Sequence, residues 1–163
     1  MDEIDRKLLG LLQGDSTLAM AQLADQVGLS PTPVWKRVQK LEAAGVITRR
    51  VAILDPQAIG VGLIVFVAIE APEHTEAWMR GFATALQGMP EVMDAYRMAG
   101  EVDYMLRVAV PDTAEFDAFY KRLVGVVPLK NVTSRFSMET MKSTTAFPLP
   151  AKAFRDRRAV EED

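Results

Sequence analysis

The chain has 163 residues, 49% apolar and 25% charged, with no cysteine and a net charge of −3. That composition suits one large or two small packed domains and excludes global disorder, disulfides, thiolate metal sites and a cysteine nucleophile. The first ten residues are too charged for a signal peptide, and the longest apolar run, Val61 to Ile69, is too short to span a bilayer, so a soluble, cytoplasmic protein is expected.

The first element in chain order is a helix over residues 2–13. Ile4, Leu8, Leu11 and Leu12 follow helical spacing, and Asp2, Glu3 and Asp5 suit the positive end of its dipole. Gly14 to Thr17 is turn-like. Met20, Leu23, Ala24 and Val27 predict a second, short helix capped near Thr17. Gly28-Leu29-Ser30 then turns tightly into a third helix. Ser30 is a good N-cap whose hydroxyl can accept a backbone N–H, and Pro31 fits the first helical position. Val34, Val38 and Leu41 give the buried stripe. Thr32, Trp35, Lys36, Gln39 and Lys40 fall mostly off it, Arg37 lies near its edge, and Gly45 stops the helix.

Two helices joined by a short Gly-containing turn make a helix-turn-helix, with the second as recognition helix. Val46 to Leu54 is β-rich and predicts a wing, a strand or hairpin that brings Arg49 and Arg50 near phosphate. Charge follows the same division. Residues 1–54 hold seven Lys/Arg against six Asp/Glu, and Ser30 to Arg50 holds five against one. A capped helix with a cationic outer face is what a DNA major groove admits. The alternative is a three-helix bundle whose cationic face is merely solvated. The expected DNA-binding set is Ser30, Thr32, Trp35, Lys36, Arg37, Gln39, Lys40, Arg49 and Arg50. Trp35 fits either the sugar backbone or the core.

Asp55 to Gly60 breaks the pattern and marks the domain boundary. Gly62 to Ala71 reads as a central strand, Thr75 to Leu86 as a helix, and Val92 to Ala99 as a strand. Gly100 to Asp103 reads as a turn and Tyr104 to Val110 as a partner strand. Pro111-Asp112-Thr113 opens a helix carrying Phe116, Phe119, Tyr120 and Leu123, and Asn131 to Lys142 is the last strand. The order βαββαβ favours a four-stranded antiparallel sheet with both helices on one face. The fold class is therefore α+β, a winged helix-turn-helix followed by a ferredoxin-like domain. The expected divisions are a DNA-binding domain 1–54, a linker 55–61, a ligand-binding and oligomerisation domain 62–145 and a tail 146–163.

Ile4 to Leu9, Val27 to Pro33, Arg37-Val38 and Leu41-Glu42, together with Ala99-Gly100-Glu101-Val102-Asp103-Tyr104, resemble the Lrp/AsnC family of feast/famine transcription regulators. The resemblance covers roughly residues 2–145. Asn131 to Phe136 and Lys142 to Ala146 also resemble a subgroup that includes regulators of cysteine breakdown. The family implies a sheet-mediated homodimer, often assembled into octamers, that binds double-stranded DNA and answers to a small molecule, usually an amino acid. By motif, Gly100, Glu101, Asp103 and Tyr104 would line the effector pocket between dimers, with Ser134 and Ser137 from the last strand. Glu101 departs from the Asp common in the family. A zwitterion needs a carboxylate for its ammonium group and N–H or hydroxyl groups for its carboxylate. The competing reading of the same residues is a plain hairpin turn, with Asp103 holding backbone N–H groups and Tyr104 in the core.

An enzyme is not expected, and neither is a cofactor or metal. The one histidine, His74, sits in a surface-like loop, and no Gly-rich phosphate loop, metal-ligand cluster or nucleophile elbow is present. A ligand-binding or assembly module without DNA binding is the rival function.

Overall fold

The computed structural model describes residues 1–150. They form two units. One is Met1–Ala52 together with residues 142–150, and the other is Ile53–Met141. The chain therefore passes between the units twice. By contacts, residues 53–61 belong to the second unit and 142–145 to the first.

The first unit is built on three helices, α1 (Glu3–Gly14), α2 (Met20–Val27) and α3 (Pro31–Ala43). Their core is Leu8, Leu12, Leu23, Ala24, Val34 and Val38, with Ile4, Leu11 and Ile47 packed around it. Asp2 and Asp5 close a reciprocal capping box at the start of α1, each carboxylate taking the other's backbone N–H. The cap of α2 is at Ala19, where the Gln22 side chain takes the N–H. Thr17 instead bonds Asp15 through both its N–H and its hydroxyl. Ser30 does stand at the N-cap of α3, but its hydroxyl makes no cap bond. Pro31 alone sets the helix start.

Helices α2 and α3 meet through Gly28, whose φ is +69°. A residue with a Cβ is strained there. Its N–H reaches Asp25 O and the Leu29 N–H reaches Ala24 O, which satisfies the last carbonyls of α2. The same pair of bonds ends α3: Gly45 N–H to Glu42 O and Val46 N–H to Leu41 O.

The expected wing strand is absent. Among the described residues, 48–55 carry no regular secondary structure and join no ladder. A β-branched sequence is not enough for a strand when no second strand lies beside it. Ile47 is partly buried on the helical core, while Val51, Ile53 and Leu54 are exposed.

In the second unit, β1 (Leu63–Glu70), β2 (Val92–Arg97), β3 (Tyr104–Val110) and β4 (Asn131–Phe136) make one antiparallel sheet in the order β2-β3-β1-β4. That order, with α4 (Glu76–Gln87) and α5 (Thr113–Val126) as crossovers, is the ferredoxin-like arrangement. Alternation decides the layers. Val65, Val67 and Ile69 of β1 and Leu106, Val108 and Val110 of β3 face Trp78, Phe82, Phe116, Phe119 and Leu123 of the helices. The Trp78 indole N–H, which could not be left unpaired in a core, donates to Pro128 O at 2.8 Å. The other sheet face carries Phe66, Tyr96 and the Arg107–Asp94 ion pair (2.5 Å).

The last strand is shorter than expected. It ends at Phe136, the Ser137 N–H makes one further bond to Ile64 O, and Met138 and Met141 are 96% and 90% exposed. In this register Leu63, where β1 begins, stands opposite Met138, so residues beyond Met138 have no β1 partner.

Candidate DNA interface and effector turn

Helix α3 presents two faces. Val34, Val38 and Leu41 are buried, while Thr32, Trp35, Lys36, Gln39 and Lys40 are all exposed. At 3.6 residues per turn these five lie within about 140° of the helix circumference. Trp35, at 50% exposure, is outside the core, which removes one of its two readings. Ser30 and Arg49 are exposed as well.

The cations differ in how they are engaged. Arg50 reaches Glu42 at 3.0 Å, and the Gln39 amide donates to the same carboxylate at 3.0 Å. Arg37 points the other way, toward α1. Its Nη1 lies 2.6 Å from Asp2 Oδ2 and 2.7 Å from Asp5 Oδ1. The two aspartates hold the guanidinium in its charged form, Asp5 more strongly. Asp2 is held below the usual carboxylate range, first by the Asp5 N–H and then by Arg37. An open groove runs here, with Asp2 and Asp5 on one side and Lys36, Arg37 and Lys40 on the other. Among the described residues, Lys36, Lys40 and Arg49 have no ion-pair partner. Of the five basic side chains in Ser30 to Arg50, these three are the uncompensated ones.

The β2–β3 turn is the second candidate site. Gly100 has a φ of +126° and a Cβ there would meet nothing within 4 Å, so the backbone itself is the surface presented. Among the described residues no acceptor meets the N–H groups of Gly100, Glu101 and Val102. Asp103 is anchored. Its N–H donates to Ile69 O, its carbonyl accepts from Met98 N–H, and its Oδ2 accepts from Ala71 N–H at 2.8 Å. Its other oxygen is 3.7 Å from His74 Nε2. Tyr104 is half-buried, its ring 4.9 Å from Phe82 and 5.6 Å from Trp78 between centroids. In a single chain, Asp103 and Tyr104 thus do the work of the plain-turn reading: one pins the backbone of β1, the other joins the aromatic core.

The strand serines are not brought to this turn. Ser134 lies opposite Val67, on the core side of β4. Ser137 meets Ile64, five residues along β1 from the Ile69 that takes the Asp103 N–H. At about 3.4 Å per residue that is roughly 17 Å. The Ser137 hydroxyl donates to Glu139 O.

Sequence reasoning missed three participants: Asp2 and Asp5 as partners of Arg37, and His74 beside Asp103. The first pair had a signal, an Asp-x-x-Asp spacing at a helix start facing a basic residue at the edge of the buried stripe.

Comparison with known proteins agrees with both halves. Residues 64–147 match the Lrp/AsnC ligand binding domain, and residues 1–48 match a winged helix-turn-helix DNA-binding domain. The chain belongs to the Lrp/AsnC family. It is 51% identical over 150 residues to the DNA-binding transcriptional activator DecR of Escherichia coli K12, covering 91% of this chain and 99% of that one. A crystal structure of an AsnC family transcriptional regulator from Agrobacterium tumefaciens superposes with a TM-score of 0.88 at 51% identity, covering 91% of this chain and 97% of that one. A Neisseria meningitidis transcriptional regulator solved in complex with L-methionine has a TM-score of 0.87 at 30% identity, covering 91% and 96%. The protein is a DNA-binding transcriptional regulator of amino-acid metabolism, responsive to a small-molecule effector. No helix among the described residues is long and apolar enough to cross a membrane.

Proposed function

We propose that this regulator binds double-stranded DNA as a homodimer, with α3 of each copy in successive major grooves, and that its effector is an amino acid. The observation that carries the DNA reading is the exposed arc of α3, where Lys36 and Lys40 stand without a carboxylate partner among the described residues. Lys36, Lys40 and Arg49 supply phosphate contacts, and Thr32 and Gln39 reach base edges. Trp35 packs on the sugar backbone. Two-fold symmetry then calls for half-sites about 34–36 Å apart, or a multiple of that. Copies meet through the outer sheet face, where Phe66 and Tyr96 are exposed, and dimers assemble further into octamers.

An amino acid suits the β2–β3 turn, which offers free N–H groups at Gly100 to Val102 for a carboxylate and the outer oxygen of Asp103 for an ammonium group. Ser134 and Ser137 reach that pocket only from another copy. The methionine complex of the Neisseria relative supports the ligand class. The site of action is the cytoplasm, where the DNA is.

The test is DNA affinity measured against salt, on a duplex selected by the protein from a random pool. Lys36→Ala and Lys40→Ala should each weaken binding and flatten the log–log salt slope by about 1. If both together leave affinity and slope unchanged, α3 is not the recognition helix. A thermal-shift screen of the twenty amino acids should show one selective gain, because a ligand that binds only the folded state stabilises it. No gain with any of them sinks the effector reading.

A further inference from the structure

Arg37 sits on the recognition helix, yet its guanidinium is turned away from the exposed arc and held by two carboxylates of α1. The network is closed on itself. Asp2 Oδ1 takes the Asp5 N–H and Asp5 Oδ2 takes the Asp2 N–H, at 2.9 and 3.0 Å. The remaining oxygen of each carboxylate goes to Arg37 Nη1, at 2.6 and 2.7 Å. Each carboxylate therefore caps α1 with one oxygen and holds α3 with the other. Asp5 is only 14% exposed and Arg37 32%, so the pairing is better shielded than an ordinary surface ion pair. Val34, Val38 and Leu41 set which face of α3 is buried, and the pairing of Arg37 with Asp2 and Asp5 adds a polar tie at the edge of that stripe.

We infer that Arg37 is a positioning residue for DNA recognition. It contacts no phosphate, and its bond to Asp2 and Asp5 sets the angle at which the exposed face of α3 meets base edges. A guanidinium shared by two carboxylates has no net positive charge to offer the DNA backbone. The trio of Asp2, Asp5 and Arg37 carries a net −1 beside the groove that Lys36 and Lys40 line. What it supplies is geometry. A misrotated α3 would still attract DNA through Lys36 and Lys40 but would lose its ability to choose among sequences, since base contacts depend on alignment and phosphate contacts much less.

This rests on α3 being the recognition helix, and the two ideas fail separately, the helix assignment through the lysine variants above. The experiment compares affinity for the selected duplex with affinity for a random duplex, across salt. In Arg37→Met the ratio of the two affinities should fall roughly tenfold, with the salt slope on random duplex unchanged. In the Asp2→Asn, Asp5→Asn double variant, where amide oxygens can still cap α1, the ratio should fall by a similar factor. The three changes combined should cost no more than the larger of the two. A phosphate contact predicts the opposite pattern. Arg37→Met would then weaken both duplexes equally and flatten the slope by about 1, and freeing Arg37 from its aspartates would tighten both equally. That pattern, or an unchanged ratio in both variants, overturns the inference. Should Arg37→Met fail to fold by circular dichroism, the aspartate variant decides, because its capping bonds survive.

Discussion

Asp103 is where the structure and the resemblance ask different things of one side chain. Its Oδ2 is committed to the Ala71 N–H, and that bond joins the β2–β3 turn to the end of β1. Asp103→Ala should cost about 1 kcal/mol in urea unfolding, the scale of a part-buried donor left unpaired. Asp103→Asn keeps an acceptor and should cost less. If the carboxylate also receives the effector's ammonium group, Asp103→Asn will fold nearly normally yet lose its thermal shift with the amino acid. The two demands are separable because one needs an oxygen and the other a charge. Charge at Asp2 and Glu70 has a different readout. Asp2 is depressed by the Asp5 N–H and Arg37, Glu70 by Asn131 and Lys130. A depressed carboxyl contributes stability that is complete above its ordinary value and lost as pH falls through its folded one. For both residues the loss therefore begins within the usual carboxylate range and is complete only below it. In an NMR titration the side chains of Asp2 and Glu70 should titrate below exposed Asp and Glu of the same chain, and Arg37→Met should move Asp2 upward while leaving Glu70 in place.

At the scale of elements, periodicity was the reliable guide. The five helices and four strands of the described residues stand where apolar spacing put them, because each has one buried face and a face in water. The failures share a cause. Val46 to Leu54 and Met138 to Lys142 have the composition of strands, but composition does not supply a neighbour, and among the described residues neither segment joins the sheet. Partnership of the same non-local kind hid the clasp on α1. Gln13 Nε2 donates to Phe147 O at 2.8 Å, and the Phe147 N–H returns to Gln13 Oε1 at 2.9 Å. Leu149 lies over Gly10 on the same helix, where an added Cβ would be 3.9 Å from its Cδ1. A side-chain amide acting as both donor and acceptor to one backbone residue mimics a strand pair, and no sequence pattern announces it. Gln13→Ala should leave the helical core intact but speed hydrogen exchange at the Phe147 amide several-fold, while exchange in α2 stays unchanged. Equal protection in the variant would mean that the clasp adds nothing to the order of residues 142–150. Of the expected tail 146–163, the part from residue 151 onward, with Lys152, Arg155, Arg157 and Arg158, lies outside the described residues.

For the molecule as a whole, net charge was a poor guide and its distribution a good one. The chain is net −3, yet the candidate interface carries three cations, on and just after one helix, that no carboxylate of the described residues compensates. Sequence reasoning found five there, because counting cannot tell which of them a distant carboxylate will take. Asp2 and Asp5 lie 35 and 32 residues from Arg37. The effector site was legible as a turn and illegible as a pocket. Gly100 to Tyr104 announce themselves by spacing, but the strand serines lie too far along the sheet to join them in one chain.

The clasp between Gln13 and Phe147 also bears on the order in which the protein comes into being. The DNA-binding unit takes its pieces from residues 1–52 and 142–150, with the ligand-binding domain threaded between them. A ribosome that has released α1 to α3 has made the reading head without the segment that closes over it. That segment emerges only after the last strand of the sensor. The finished reading head therefore certifies that a sensor has been made, and a nascent or truncated chain lacks this last seal on α1.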